Sequence, residues 1–308
     1  MDESHWRRHH RGVRICVIFN PAARGQRAQK LKALLQRFAR DCHFKPTTRA
    51  GEARSLATAA IGEGFDTIVA AGGDGTVNEV LNGIGDHPLG FSKARLGVLP
   101  MGTINVFARE LKIPLGLEPA WQMILRGKER TIDVPEVQYI CAGQTVRRYF
   151  AQLAGAGLDS SAVAMVDWEL KKKIGPLAYV AAGMKALRTK QSTITITSAA
   201  GMITGEMALI GNGRFYGGNF VLFPKADLCD GKLEVCVFPK INWPIISRAG
   251  LGLLTGTLHR LCDAHQVQTD KVTLTAVQQT FLQLDGENVG ELPAQFSIHP
   301  KMLRVIVL

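Results

Sequence analysis

The sequence predicts two parts of different build: an N-terminal α/β region with a doubly wound parallel sheet, then an all-β region. Three observations carry this. Apolar runs that read as buried strands alternate with amphipathic helical patterns up to about residue 131, and glycine-bearing turns follow two of those strands. Beyond Thr131 the helical period gives way to closely spaced strand-like runs. With 308 residues, 46% of them hydrophobic, the chain can build sizeable cores in both regions.

In order along the chain, residues 13–19 read as a buried strand and Asn20-Pro21 through Gly25 as the turn that ends it. Leu31, Leu34, Leu35 and Phe38 then fall on one helical face. A short strand at 44–48, a helix at 52–61, a strand at 67–71 and a buried strand at 95–99 complete the alternation. Such a βαβ series places ligand at the carboxyl ends of its strands, so the turns at Asn20 and Gly72 should share one rim. Later strands are expected at 131–140, 146–153, 193–197, 206–210, 219–223, 233–238, 271–276, 280–284 and 303–308, with one or two helical insertions.

The most specific feature is Gly72-Gly73-Asp74-Gly75-Thr76, which runs from an apolar strand straight into a helix with Val77, Val80, Leu81 and Ile84 on one stripe. Asn78, Glu79 and Asn82 fall off that stripe. Glycines let the backbone approach a bulky anion, and successive amide N–H groups at a helix start can cradle phosphate oxygens. The loop is neither a Walker sequence nor a dinucleotide fingerprint, and Gly155-Ala156-Gly157 lacks the third glycine of the latter. A second strand-turn-helix junction runs from Leu99 to Arg109, with Thr103 placed to cap the helix or to donate to phosphate. Asp285-Gly286-Glu287 closes a strand. Its Asp-Gly pair is a hairpin signal, and the same geometry can present Glu287 to a cleft. Asp227 and Asp230 stand three apart in a loop, suitable for a hard cation or for a solvated turn.

A net charge of +11 implies attraction to polyanions, but no nucleic-acid-binding signature accompanies it. The apolar runs fall short of the roughly 20 residues that span a bilayer, so a cytoplasmic chain is expected. Six scattered cysteines indicate neither a zinc site nor a disulfide framework. Two segments could face a membrane or pack on a sheet: Lys171-Lys172-Lys173 through Tyr179, and residues 241–261 with Trp243, Ile245, Ile246, Leu251, Leu254, Leu258 and Leu261.

At these residues the chain resembles the diacylglycerol kinase catalytic-domain family of bacterial lipid kinases, sphingosine kinases and ceramide kinases. The Gly-Gly-Asp-Gly-Thr signature is shared with NAD kinases, whereas Asn20-Pro21, Gly102-Thr103-Ile104-Asn105, Asp230-Gly231 and Asp285-Gly286-Glu287 are of the lipid-kinase type. The resemblance implies an NAD kinase-like first domain over residues 1–131, to which 298–308 return, a lipid-substrate β-sandwich over 132–297, and ATP in the cleft between them. It implies an ATP-dependent lipid kinase that phosphorylates the hydroxyl of a diacylglycerol-like or related lipid. Asn20, Thr47, Gly72, Gly73, Gly75, Thr76, Val77, Asn78, Glu79 and Thr103 would contact ATP. Glu287 would be the general base, with Asp74 its rival through magnesium or the attacking hydroxyl. Magnesium would be held by Asp227, Asp230 and the carbonyl of Lys232. Many family members carry Asp where this chain has Val106. Peripheral association with the inner membrane face and a homodimer are the partner expectations, with no nucleic acid. An NAD kinase-type phosphotransferase and a non-catalytic nucleotide- or lipid-binding regulator are the alternatives.

Overall fold

The computed structural model describes residues 14–20, 42–164, 192–255 and 263–308. The expected helix bearing Leu31 to Phe38, the turn from Pro21 to Gly25, the basic segment Lys171 to Tyr179 and residues 256–262 lie outside that set. Two compact units emerge, one drawn from Met1–Gly102, Lys112–Arg130 and Leu303–Leu308, the other from Thr103–Leu111 and Thr131–Met302.

In chain order the first unit contains β1 (Ile15–Phe19), β2 (Cys42–Pro46), α1 (Glu52–Gly62), β3 (Thr67–Gly72), α2 (Asp74–Asp86), the short α3 (Gly90–Lys93) and β4 (Arg95–Pro100). Next comes α4 (Val106–Glu110) in the second unit, and then α5 (Leu117–Arg126), again in the first. The strands pair in parallel in the order β2-β1-β3-β4, and Arg304 and Val305 from the last strand of the chain add in parallel beside Arg95 and Leu96 of β4. Every residue of β3 is buried, as an inner strand of a parallel sheet requires. Helices α1 and α2 pack on each other, and Arg54 clasps Asp86 across them through bonds of 2.6 and 2.7 Å. The amphipathic α5, which buries Trp121, Met123 and Ile124, was not anticipated. Asn78 and Asn82, which fall off the apolar stripe, are buried. Part of their polarity is met within the helix, where Asn82 Nδ2 donates to the Asn78 carbonyl and side-chain oxygens. Burial also pushes the Cys16 thiol up to about 11, which makes it an inert core residue.

The second unit holds β5 (Lys128–Cys141, from Thr131 onward), β6 (Gln144–Tyr149), β7 (Leu153–Gly157), α6 (Leu158–Ala164), β8 (Ile194–Ser198), β9 (Gly201–Gly205), β10 (Met207–Gly211), β11 (Phe215–Tyr216), β12 (Phe220–Val221), β13 (Leu233–Phe238), α7 (Trp243–Thr255), β14 (His265–Thr269), β15 (Lys271–Ala276), β16 (Phe281–Leu284) and β17 (Glu287–Val307, as far as Met302). One run of strands is β14-β13-β10-β7-β16-β17, and another links β9-β8-β15-β17-β5-β6. Inner faces of both runs meet in one apolar core that includes Val137, Ala156, Ile196, Ile210, Val235, Leu274 and Phe296. Phe150 and Phe296 meet edge to face in it, 6.0 Å between centroids. This is the β-sandwich. A second cluster on the far side of β10 and β13 buries Leu209, Cys236 and Phe238 against Leu222, Phe223 and Ala249 of α7.

Several boundaries differ from expectation. The run 146–153 is two strands, β6 and β7, separated at Phe150-Ala151-Gln152, where Phe150 N still donates to Pro135 O of β5 but the N–H groups of Ala151 and Gln152 turn to a carboxylate. The expected strand at 219–223 is half of a two-residue hairpin, and β9 and β14 were not foreseen. The segment Thr103–Leu111, expected in the first domain, belongs to the second. Its buried Glu110 explains this by accepting from Gln152 Nε2 at 3.1 Å and from Arg214 N and Nε at 2.7 and 2.9 Å.

Candidate active site

In the first unit the carboxyl ends of four neighbouring parallel strands lie side by side. Asn20 follows β1 and Thr47 follows β2, and Thr47 N donates to Phe19 O at 2.8 Å. The Gly72-Gly73 turn follows β3, and Met101-Gly102 follows β4, with Met101 N donating to Gly72 O at 2.8 Å. The chains here are close enough that a Cβ on Gly72 would lie 2.2 Å from Thr76 Oγ1 and 2.4 Å from its Cβ. Gly73 is the N-cap of α2, with no side-chain cap, and the first backbone bond inside the helix runs from Val77 N to Gly73 O. Amide N–H groups ahead of Val77 thus have no partner within the helix, and the helix dipole adds positive potential where they point. The arrangement suits a phosphate. Asp74 is the first residue of α2. Glu79, one turn further on, spends both carboxylate oxygens on the start of α1, accepting Gly51 N at 3.0 Å and Ala53 N at 2.9 Å. It caps α1 from outside and so shapes the rim.

In the second unit Asp285 and Gly286 both take positive φ, 47° and 86°, and make the two-residue hairpin between β16 and β17. The bland reading of Asp-Gly is therefore correct for the backbone, and the two carboxylates part company. Asp285 Oδ2 accepts Ala151 N at 2.7 Å, while Oδ1 accepts Gln152 N at 2.9 Å and Leu153 N at 3.0 Å. Glu287 is instead half exposed, with Arg148 Nη2 3.6 Å from its Oε2. Asp285 is a structural anion, and Glu287 is the carboxylate that a solute can reach.

Residues 14–137 match the family described as Diacylglycerol kinase catalytic domain, and residues 152–307 match the YegS C-terminal NAD kinase beta sandwich-like domain. A diacylglycerol kinase of Bacillus subtilis (strain 168) is 33% identical over 293 residues, covering 92% of each chain. This chain belongs to the diacylglycerol kinase catalytic-domain family. A second family member, from Staphylococcus carnosus (strain TM300), is 30% identical over 81% of this chain and 79% of its own. Among solved structures, a diacylglycerol kinase from Bacillus anthracis str. Sterne superposes with a TM-score of 0.69 at 19% identity, covering 96% of this chain and 97% of that one. The yeast NADH kinase complexed with NADH gives 0.56 at 9% identity, covering 96% and 84%. These likenesses agree with an α/β unit and a β-sandwich unit of NAD kinase type.

In this diacylglycerol kinase family member the remaining sequence-predicted residues fall in the second unit. Thr103 is exposed there and does not cap α4, whose N-cap is Asn105 in left-handed conformation at φ 56°. Asp227, Asp230 and Lys232 share one loop: Asp227 Oδ1 accepts Cys229 N at 3.1 Å and Asp230 Oδ1 accepts Lys232 N at 2.9 Å. Among the described residues no group of three His, Cys, Asp or Glu side chains is arranged to hold a metal. The donor set nonetheless fits a hard cation. Burial, then the charges of Asp227 and Asp133, raise the Asp230 carboxyl above its ordinary range, and a divalent ion would relieve that repulsion. Asp133, unnoticed in the sequence, fixes this loop by accepting Gly231 N and Lys301 N, both at 2.7 Å.

Asp159 was also unnoticed. It is 8% exposed, accepts the Tyr216 hydroxyl and Gln283 Nε2, each at 2.7 Å, and burial raises its carboxyl above the ordinary range. Because the folded state holds this proton more tightly than the unfolded chain, its stabilising contribution is complete at acid pH below the unfolded value and is lost as pH rises through the folded one. Asp159→Asn removes that loss. The stability difference between the two proteins in urea titrations is expected to move in favour of the variant as pH rises; a constant difference at every pH would contradict the assignment.

Proposed function

We propose that this protein transfers the γ-phosphoryl group of ATP to the hydroxyl of a diacylglycerol-like lipid, and that it needs magnesium to do so. One observation carries the reading: Asn20, Thr47, Gly72–Thr76 and Met101–Gly102 converge at the carboxyl ends of four adjacent parallel strands, in a chain of diacylglycerol kinase ancestry. Phosphoryl transfer asks little covalent work of the protein and much positioning and charge neutralisation. Amides of the glycine loop and the start of α2 would receive the phosphates, with Thr76 adding a hydroxyl and Asn20 and Thr47 bordering the same rim. Val77, Asn78 and Glu79 keep the loop in shape from the helix side. Glu287 would accept the proton of the lipid hydroxyl as its oxygen attacks phosphorus, and Asp74 would orient the reacting groups at the phosphate end. Magnesium, when bound, supplies positive charge to phosphate oxygens, and Asp227, Asp230 and the Lys232 carbonyl are the residues that would hold a structural ion in the second unit.

Peripheral association with an anionic membrane face is part of the proposal. No helix among the described residues is long and apolar enough to cross a membrane. Helix α7 instead leaves Trp243 48% and Leu251 53% exposed beside the exposed Arg248, while Ala249 faces the core. That is the pattern of a helix seated at a headgroup boundary.

The test is transfer of label from [γ-³²P]ATP in mixed micelles of diacylglycerol, monoacylglycerol, sphingosine, ceramide or phosphatidylglycerol, with and without magnesium, and with NAD as a parallel acceptor. Magnesium-dependent label on diacylglycerol is the expected result. Label on NAD alone would transfer the protein to the NAD kinase reading, and ATP binding without label on any acceptor would sink the catalytic one.

A further inference from the structure

A buried hydrogen-bond chain in the second unit ends on the turn that carries Glu287. Asp159, in the first turn of α6, accepts the Tyr216 hydroxyl with Oδ1 and Gln283 Nε2 with Oδ2, both at 2.7 Å. Gln283, on β16 and 2% exposed, places its Oε1 on the Gly286 N–H at 2.8 Å. Room for this chain is set aside in β7. A Cβ on Gly155 would stand 2.0 Å from Asp159 Oδ2 and 2.9 Å from Gln283 Nε2. Gln283 also sits where the β16–β17 ladder shifts register, between Leu282 and Gln283, so its side chain braces the short paired stretch, Gln283 with Asn288 and Leu284 with Glu287, that leads into the turn.

We infer that Asp159 and Gln283 are positioning residues that set the orientation of the Asp285-Gly286 turn and, through it, of Glu287. The inference rests on the reading of Glu287 as the proton acceptor. Its logic is one of hydrogen-bond polarity. An amide side chain can present either end to Gly286, and only the oxygen end accepts an N–H. Both oxygens of Asp159 act as acceptors, Oδ1 toward Tyr216 and Oδ2 toward Gln283, so it claims the NH₂ end of Gln283 and turns the oxygen toward the turn. The reverse orientation would set donor against donor and acceptor against acceptor among buried groups, where such conflicts are costly. Asp285 secures one side of the turn through Ala151, Gln152 and Leu153, and Gln283 secures the other. The Gly155-Ala156-Gly157 run, which is no nucleotide fingerprint, thereby acquires a reason: its first glycine leaves the space the chain occupies.

Exchange of donor and acceptor tests this. Gln283→Glu keeps an acceptor for Gly286 but opposes a second carboxylate to Asp159, and it should lower kcat by about 100-fold while leaving KM for ATP unchanged. Adding Asp159→Asn restores a donor facing the new carboxylate, and its remaining oxygen still accepts Tyr216, so the double variant should regain most of the lost kcat. The idea is overturned if Gln283→Glu turns over like the wild type, or if the double variant is as slow as the single one while both melt like the wild type. Should Gln283→Glu fail to fold, Gln283→Met removes both bonds without adding charge, and wild-type kcat in it overturns the proposal equally. Glu287→Gln is assayed alongside. Wild-type kcat there would remove the base reading and the catalytic purpose of the relay together, whereas a slow Glu287→Gln beside a fully active Gln283→Glu would reject the relay alone.

Discussion

Glu287→Gln is expected to lower kcat by about 10³-fold, the scale of a lost general base, while ATP binding survives. The substitution keeps the size and leaves an amide that cannot take the lipid proton. Its structural cost should be small. The Glu287 side chain is half exposed and its pairing with Arg148 is a long one at 3.6 Å, so stability should change by less than about 1 kcal/mol. Turnover in the labelled-ATP assay and calorimetric ATP titration separate the two effects. Asp74→Asn, on the first turn of α2, belongs in the same experiment. If Glu287→Gln proves active and Asp74→Asn does not, the base is Asp74, and activity in both would remove the catalytic assignment altogether.

Asp285→Ala should behave in the opposite way, as a fold defect two residues from the proposed base. Its carboxylate satisfies three backbone N–H groups, those of Ala151, Gln152 and Leu153, all on buried residues. Truncation leaves three donors on buried residues without their acceptor, and alanine is a poorer occupant than aspartate of a position at φ 47°. A loss of about 3–5 kcal/mol is expected by analogy with other broken buried charged networks, enough to lower the melting temperature by roughly 10 °C. Scanning calorimetry decides it. A variant that melts with the wild type would show that the carboxylate is not the keystone of this corner.

The contrast between Asp285 and Glu287 also marks how far the sequence could be read. Adjacent carboxylates around a glycine were visible, and so was the hairpin signal. Which of them is structural depends on amides more than 130 residues away, and no local pattern records that. The α/β rim was legible because strand-Gly-Gly-helix is a local signal whose geometry depends on a few residues. The burial of Asn78 and Asn82 was not legible, because helical periodicity marks only where apolar residues fall, and the bond from Asn82 to Asn78 that accompanies their burial leaves no apolar signal. Asp133, Asp159 and Glu110 were passed over as single acids without a motif, although each is a buried carboxylate whose partners come from distant segments of the chain. The β17 strand was underestimated because its residues 287–302 mix glycine, prolines and polar groups, and its place is fixed by pairing with β16 and β15 more than by its own composition.

The parallel partner that Arg304 and Val305 give to β4 has a consequence for biosynthesis. These residues leave the ribosome about 170 positions after Arg130, so at about 5–20 residues per second the nucleotide-side sheet waits some 10–30 s with one edge open. During that interval β4 is an unpaired template of the kind that recruits strands from other nascent chains. The α/β unit is thus the first to be translated and among the last to be finished, and shortening the chain behind Met302 would make a temporary hazard permanent.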